Sequence, residues 1–371
     1  MNAARRVAVH NERMTDTDPD PRPVAVLTIA GSDSGGGAGI QADLKTFAAH
    51  GVHGLSALAA LTAQHTRGVT AVHVPPLEFL DAQIDACFDD FRICAVKLGM
   101  LASSDVIEAV ARALERHRPA HVVVDPVMVA TSGARLLQED ALQALRVRLL
   151  PLASVLTPNL PEAELLLGWK IDDLGAMAQA ASALRALGAP AVLIKGGHLA
   201  GPGEVVDILA DASGEQRSAH PRLRLEAHGT GCTLASAIAA NLARGMPLRE
   251  ACAAAAGYVH AALRAGTRPG HSGLVVLDHF ATMPGRLART RPRRMAPPPT
   301  GTAGRCLRAR RHGRARACSG CRHWAWPRAT TCRWPRRWPR AASLPTCTNG
   351  AATAAVRCAP RANRIGVTAN C

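Results

Sequence analysis

Between Val24 and Arg264, short apolar runs alternate with longer stretches in which apolar and polar positions recur at helical spacing. The runs Val24–Ala30, Ala95–Leu98, His121–Val124, Ser154–Leu156 and Ala191–Ile194 read as strands buried on both faces. Helices are predicted at Gly39–His50, Leu77–Asp90, Ser104–His117, Asp140–Leu149, Glu162–Leu167, Met177–Leu187, Thr230–Ala243 and Leu248–Arg264. Strand then helix, repeated, is the pattern of βα units around a parallel sheet, so the fold class is α/β. Ligands of such sheets bind beyond the carboxyl ends of the strands, and the polar or glycine-rich residues there are where chemistry is to be sought.

The pattern stops near residue 280, and the composition changes with it. The 371 residues carry a formal net charge of +16, yet all 28 acidic residues lie at or before Asp278. The segment Ala281 to Cys371 has no acidic residue and no Lys, but holds 20 of the 40 Arg. Residues 1–280 therefore carry 24 basic against 28 acidic groups, a net of −4. Seven of the 11 Cys and four of the five Trp also fall after residue 300. The remaining Cys87, Cys94, Cys232 and Cys252 show no pairing pattern, which points to a reducing, cytoplasmic setting. No apolar run is long enough to span a bilayer. Met1 to Arg22 is polar, lacks an apolar signal-peptide core and reads as a disordered leader, with Met14 as an alternative start. The expected organisation is a leader (1–22), one α/β domain with a full core (23–283) and a tail (284–371).

Taken alone, the tail suggests nucleic-acid binding or zinc. Arg333-Trp-Pro-Arg-Arg-Trp-Pro-Arg340 combines cations with rings that stack on bases, and Cys318 and Cys321 have ligand spacing. No second such pair completes a zinc set. Absence of Asp, Glu and Lys, with no hydrophobic periodicity, is the signature of a GC-rich frame read out of register or of a poorly selected extension. Either way no core-forming pattern exists, and the tail is expected to be disordered.

The strongest candidate chemistry is His228-Gly229-Thr230-Gly231-Cys232-Thr233, a glycine-framed turn running into the predicted helix Thr230–Ala243. Such a turn presents free backbone N–H groups and the positive end of a helix dipole, a place for phosphate. Five strand ends carry further polar or glycine-rich motifs, at 31–45, 97–100, 125–128, 157–162 and 195–198. The first fails the dinucleotide register, because Ile40 stands where a third glycine is required after Gly35 and Gly37. No Walker A sequence occurs, and the scattered histidines show no metalloprotease spacing.

Taken together, GSDSGGGAGIQADLKTF (31–47), ALTAQHTRGV (60–69), KLGML (97–101), TPNLPEAE (157–164), KGGH (195–198) and HGTGCT (228–233) make the chain similar to a known family. It resembles the hydroxymethylpyrimidine/phosphomethylpyrimidine kinases of thiamine biosynthesis, within the ribokinase-like superfamily, from about Val24 to Phe280. The resemblance implies a three-layer α/β/α fold with a mostly parallel central sheet, ATP and Mg2+, and a homodimer. The implied reaction phosphorylates the hydroxymethyl group of 4-amino-5-hydroxymethyl-2-methylpyrimidine, then the monophosphate to the diphosphate.

The same resemblance places Gln64, Asp43, Met100 and Gly31 at the pyrimidine. Gln64 has a donor and an acceptor able to pair with an exocyclic amine and its neighbouring ring nitrogen; the alternative is a helix-end Gln. Asp43 accepts from the amine or the hydroxymethyl group, or else complements a helix dipole from the first turn. Met100 lies against the ring, or fills core. Lys195 reaches phosphate oxygens. Asn159 and Glu162 stand near Mg2+ and phosphate, and also suit a helix start at Pro161. Asp125 faces a metal or substrate, or forms a turn before Pro126. The backbone of Gly229, Thr230 and Gly231 cradles the transferred phosphoryl group. Cys232, at a helix N-terminus, is expected to have a depressed pKa and to serve as base, or else only to position the substrate hydroxyl. A pyridoxal-type vitamin kinase is the alternative within the enzyme class, and a nucleic-acid-binding module in the tail is the alternative outside it.

Overall fold

The apolar runs become the middle of one nine-stranded sheet in a computed structural model that describes residues 20–128, 140–199, 201 and 203–283. The leader before residue 20 and the tail from residue 284, with the readings attached to them, lie outside the described residues. All described residues fall in the unit Met1–Arg293.

In chain order the elements are β1 (Ala25–Gly31), α1 (Gly39–Ala49), β2 (His53–His65), β3 (Gly68–His73), α2 (Leu77–Asp90), β4 (Ile93–Leu98), α3 (Ser104–His117) and β5 (His121–Val124). Then come α4 (Ala141–Ala144), extended by a π turn to Leu149, β6 (Val155–Leu156), α5 (Leu160–Leu167), α6 (Leu174–Ala186), β7 (Val192–Ile194), β8 (Glu204–Asp211) and β9 (Gly214–Pro221). The last are β10 (Ala227–His228), α7 (Thr230–Ala243), α8 (Leu248–Arg264) and β11 (Val275–Val276). The sheet order is β3-β2-β1-β4-β5-β6-β7-β8-β9, and β10 pairs with β11 separately. Strands β2 to β7 of this order run parallel, while β3, β8 and β9 join antiparallel.

Alternation along each strand divides the core. Leu27, Ile29, Val96, Leu98, Val122, Val124 and Ile194 face the layer containing α2, α3, α5 and α6. Val26, Ala95, Val123, Val155 and Leu193 face α7 and α8. Both faces are dry, which is why these runs lack polar alternation. The result is the expected three-layer α/β/α architecture with a mostly parallel sheet.

Helix starts have local causes. Ser103 and Asp173 accept the N–H groups of Val106 and Ala176, at 3.4 and 2.7 Å, capping α3 and α6. Asn159 and Glu162 form a reciprocal capping box on α5, with bonds of 2.9 and 2.8 Å. Helix α7 has no side-chain cap: Gly229 precedes it at φ 86°. A side chain there would be strained and would overlap the Gly37 carbonyl oxygen, so only glycine joins the two loops.

Six strands, β2, β3, β8, β9, β10 and β11, were absent from the sequence reading. Strand β2 is built on Ala and Leu with no β-branched apolar residue, and β9 is a polar edge strand, so neither has the composition of a buried strand. The predicted helix Asp140–Leu149 is α-helical only from Ala141 to Ala144 and widens into a π turn over Leu145–Leu149.

Candidate active site

Along the carboxyl ends of β1, β4, β5, β6 and β7 runs a cleft of about 360 Å³. Eleven of the twelve residues singled out from sequence line it: Gly31, Gln64, Met100, Asp125, Asn159, Glu162, Lys195, Gly229, Thr230, Gly231 and Cys232. Asp43 does not. A second cavity, of about 550 Å³, adjoins the first and shares Lys195, His198, Thr230 and Gly231 with it. Its walls include Val205, Leu223, Leu225, Leu234, Val259 and Leu263, from elements the sequence left unassigned or read only as helix.

Asp43 instead lies wholly buried within α1. Its carboxylate accepts from Lys97 Nζ at 2.9 and 3.0 Å, from Thr28 Oγ1 at 2.7 Å and from Ser236 Oγ at 2.7 Å. No lone pair is left for a substrate amine, and its place five residues into the helix removes the first-turn reading. Its partner Lys97 was missed as a functional residue, although a lone Lys inside the apolar run Ala95–Leu98 signals a paired charge. Lys97 is fully buried yet lines the cleft floor. Burial alone would lower its ammonium, but Asp43, with Cys232 and Asp125, holds it above the ordinary lysine range.

At the other end, Lys195 follows β7. Its N–H donates to Pro158 O at 2.9 Å, which fixes the turn against the start of α5. Its Nζ donates to Asp125 Oδ1 at 2.8 Å and stands 3.8 Å from Glu162 Oε2. Asp125 Oδ2 is buried, with no hydrogen-bond partner among the described residues. Glu162 is pushed up to about 7 by burial, with Asp125 adding to the rise while Lys195 and Asn159 oppose it. Two carboxylates, one with a bare oxygen and one costly to ionise, suit a hard cation that keeps part of its water shell. Among the described residues no group of three or more His, Cys, Asp or Glu side chains is gathered for a metal, so phosphate and water would complete such a site.

The N–H groups of Thr230 and Gly231 open α7 toward this cleft. A Cβ on Gly231 would stand 3.0 Å from Lys195 Nζ, so glycine leaves the ammonium its space. Cys232 follows, and its pKa is opposite to expectation. Burial pushes the thiol up to about 12; Asp125 and Asp43 add to the rise, and Lys97 and the Gly39 N–H only partly counter it. Desolvation outweighs the helix dipole here.

On the remaining side, Gly31 and Met100 pack together. Gln64 sits near the end of β2, not on a helix, with its amide 3.1 Å from Thr62 Oγ1 and 3.1 Å from His228 Nε2. His228 Nε2 also lies 3.0 Å from Asp33 Oδ2. Asp33 further accepts from Gly35, Gly37 and Ala38 N–H at 2.8, 3.0 and 2.8 Å, so it binds its own glycine loop to the start of the other. Asp33 was not singled out from sequence; an Asp inside a glycine run is a signal for a loop whose amides need an acceptor.

A mostly parallel sheet between helical layers, an uncapped helix behind a glycine turn, and a lysine beside two carboxylates define a small-molecule kinase of the ribokinase-like class. The comparisons agree in detail. Residues 33–276 match the profile of the family described as phosphomethylpyrimidine kinase. A hydroxymethylpyrimidine/phosphomethylpyrimidine kinase of Rhizobium meliloti is 54% identical over 243 residues, covering 64% of this chain and 90% of that one. A thiamine biosynthesis bifunctional protein of Geobacter sulfurreducens is 54% identical over 236 residues, 63% of this chain but only 48% of that protein. The crystal structure of an ADP complex of Bacillus subtilis pyridoxal kinase superposes with a TM-score of 0.65 at 36% identity, over 70% of this chain and 98% of that one. The chain belongs to the phosphomethylpyrimidine kinase family.

Proposed function

We infer that the chain transfers the γ-phosphoryl group of ATP to the hydroxymethyl oxygen of 4-amino-5-hydroxymethyl-2-methylpyrimidine, and then a second phosphoryl group to the monophosphate, in thiamine diphosphate formation. The observation that carries this reading is one cleft holding both an anion cradle with its lysine and a fixed carboxamide on its far side. Phosphoryl transfer asks for positioning and charge neutralisation more than for covalent chemistry.

In this reading the adjoining cavity, whose walls mix apolar and polar side chains, takes the nucleotide base, and Lys195 with the N–H groups of Gly229, Thr230 and Gly231 neutralises the transferring phosphoryl group. Asp125 and Glu162, with Asn159 behind Glu162, are the residues that would hold Mg2+, which would neutralise phosphate charge. Gln64, Met100 and Gly31 receive the pyrimidine. A thiol with its pKa near 12 is protonated at neutral pH, so Cys232 orients the substrate hydroxyl as a hydrogen-bonding partner, and in a loose transition state that hydroxyl gives up its proton late, to an oxygen of the arriving phosphoryl group. A homodimer and a cytoplasmic location belong to the same reading through the family; no described helix is long and apolar enough to cross a membrane.

Pyridoxal is the second substrate to consider, because the fold superposes on pyridoxal kinases and the cleft accepts a flat hydroxymethyl heteroaromatic. The test is ATP consumption by the full chain with Mg2+, offered the pyrimidine alcohol, its monophosphate and pyridoxal in parallel. Turnover of the first two is expected. Preference for pyridoxal would overturn the assignment of substrate, and no turnover on any would overturn the assignment of activity.

A further inference from the structure

Proton accounting around Gln64 singles out three residues that line the cleft beside it. The Thr62 hydroxyl has one proton, which it gives to Ser32 O at 2.8 Å. It can therefore only accept from the Gln64 amide at 3.1 Å. His228 Nε2 faces the Asp33 carboxylate at 3.0 Å and so carries its single hydrogen on that side, and a group 3.1 Å from the same nitrogen can be bonded only by sharing that hydrogen as a second acceptor. A second N–H cannot be opposed to it at 3.1 Å. Both demands are met only by turning the amide over from the placement with Oε1 3.1 Å from Thr62 Oγ1 and Nε2 3.1 Å from His228 Nε2, so that Oε1 meets the shared His228 N–H and the NH2 group meets Thr62. Each end then has one capacity left: a lone pair on Oε1 and one N–H on Nε2.

We propose that His228, Thr62 and Asp33 are positioning residues that lock the Gln64 carboxamide in this orientation and thereby set which polar edge of a ring the cleft accepts. The proposal rests on the reading of the cleft as an aminopyrimidine site. A locked amide offers an acceptor beside a donor in fixed order. It complements an amino N–H next to an unprotonated ring nitrogen. The 4-oxo analogue presents a carbonyl next to a ring N–H, the reverse order, and matches only the rotated amide. A free amide serves either edge by turning over; a locked one leaves two buried polar groups opposed by their own kind when the wrong edge enters. Asp33 completes the lock because its other bonds, to Gly35, Gly37 and Ala38, keep it from following His228.

Equilibrium binding of the 4-amino and 4-oxo pyrimidine alcohols to the full chain, by titration calorimetry, tests this without requiring turnover. The parent is expected to prefer the amino compound at least tenfold. His228→Leu, which removes the donor, is expected to lower that ratio about tenfold, and Thr62→Val several-fold. His228→Gln, whose amide nitrogen reaches the position of Nε2, is expected to recover the ratio to within about threefold. ATP binding should stay within about twofold throughout. An unaltered ratio in His228→Leu and Thr62→Val, a general weakening that spares the ratio, or a parent that binds both compounds equally or neither would overturn the proposal. If circular dichroism shows His228→Leu unfolded, Thr62→Val and His228→Gln decide the matter. A parent that discriminates between the two alcohols but consumes no ATP with either would leave the lock standing and refute the kinase reading.

Discussion

Two Lys–Asp pairs sit at the carboxyl edge of the same sheet, and they are built to opposite ends. In Lys97–Asp43 every oxygen of the carboxylate is used, and both side chains are at 0% exposure. In Lys195–Asp125 one carboxylate oxygen is bare, the lysine is 14% exposed, and a second carboxylate stands 3.8 Å away. A carboxylate whose lone pairs are all taken has nothing left to offer a ligand, and the pair serves to join α1, β4 and α7 beneath the cleft. An incomplete pair keeps its unused capacity for something that arrives from outside.

The contrast can be broken in four places. The largest effect is expected from Asp43→Asn, which leaves the Lys97 charge buried without a counter-charge. A loss of about 3–5 kcal/mol of stability and a melting temperature lower by about 10 °C should follow in a thermal scan. A change of a degree or two would mean that the pair is not the structural one. The matching substitution at the open pair, Asp125→Asn, leaves Lys195 near Glu162 and solvent, so the melting temperature should stay within a few degrees. Its kcat should fall by about 10²–10³ in the ATP assay.

Glu162 sharpens the comparison through pH. Unfolded, it releases its proton near 4.5; folded, near 7. Between those values the folded chain binds the proton more tightly, so the stability this group contributes is lost as pH rises from about 4.5 to about 7. Glu162→Gln should therefore melt higher than the parent at pH 8, by about 1–3 kcal/mol, and equal to it near pH 4. An advantage independent of pH would show that the effect is not titration. The smallest effect is expected at Cys232, where Cys232→Ser keeps a hydroxyl able to orient the substrate and should retain kcat within about tenfold. A thousandfold loss would restore the thiolate base.

The five central strands were legible because burial on both faces writes an uninterrupted apolar run. Strands β8 and β9 were not, since an antiparallel ribbon at the sheet edge needs no such run, and with them went much of the second cavity. The anion cradle was legible because Gly229 and Gly231 are demanded by backbone geometry at one place in the chain. The network of Gln64, His228 and Asp33 was not, because its partners are separated by 164 and 195 residues. Cys232 shows the same limit differently: its local setting at a helix start argues for a lowered pKa, and the cleft floor around it raises it.

By itself the sequence determined the α/β class, the succession of the five central strands and their helices, and the glycine turn before α7, since each depends on neighbours close in the chain; through the resemblance it also named eleven residues of the cleft lining. Only the tertiary structure decided which lysine is sealed and which is open. That depends on whether Thr28 and Ser236, 15 and 193 residues from Asp43, arrive to complete its carboxylate, and on the absence of any such partner at Asp125 Oδ2 among the described residues.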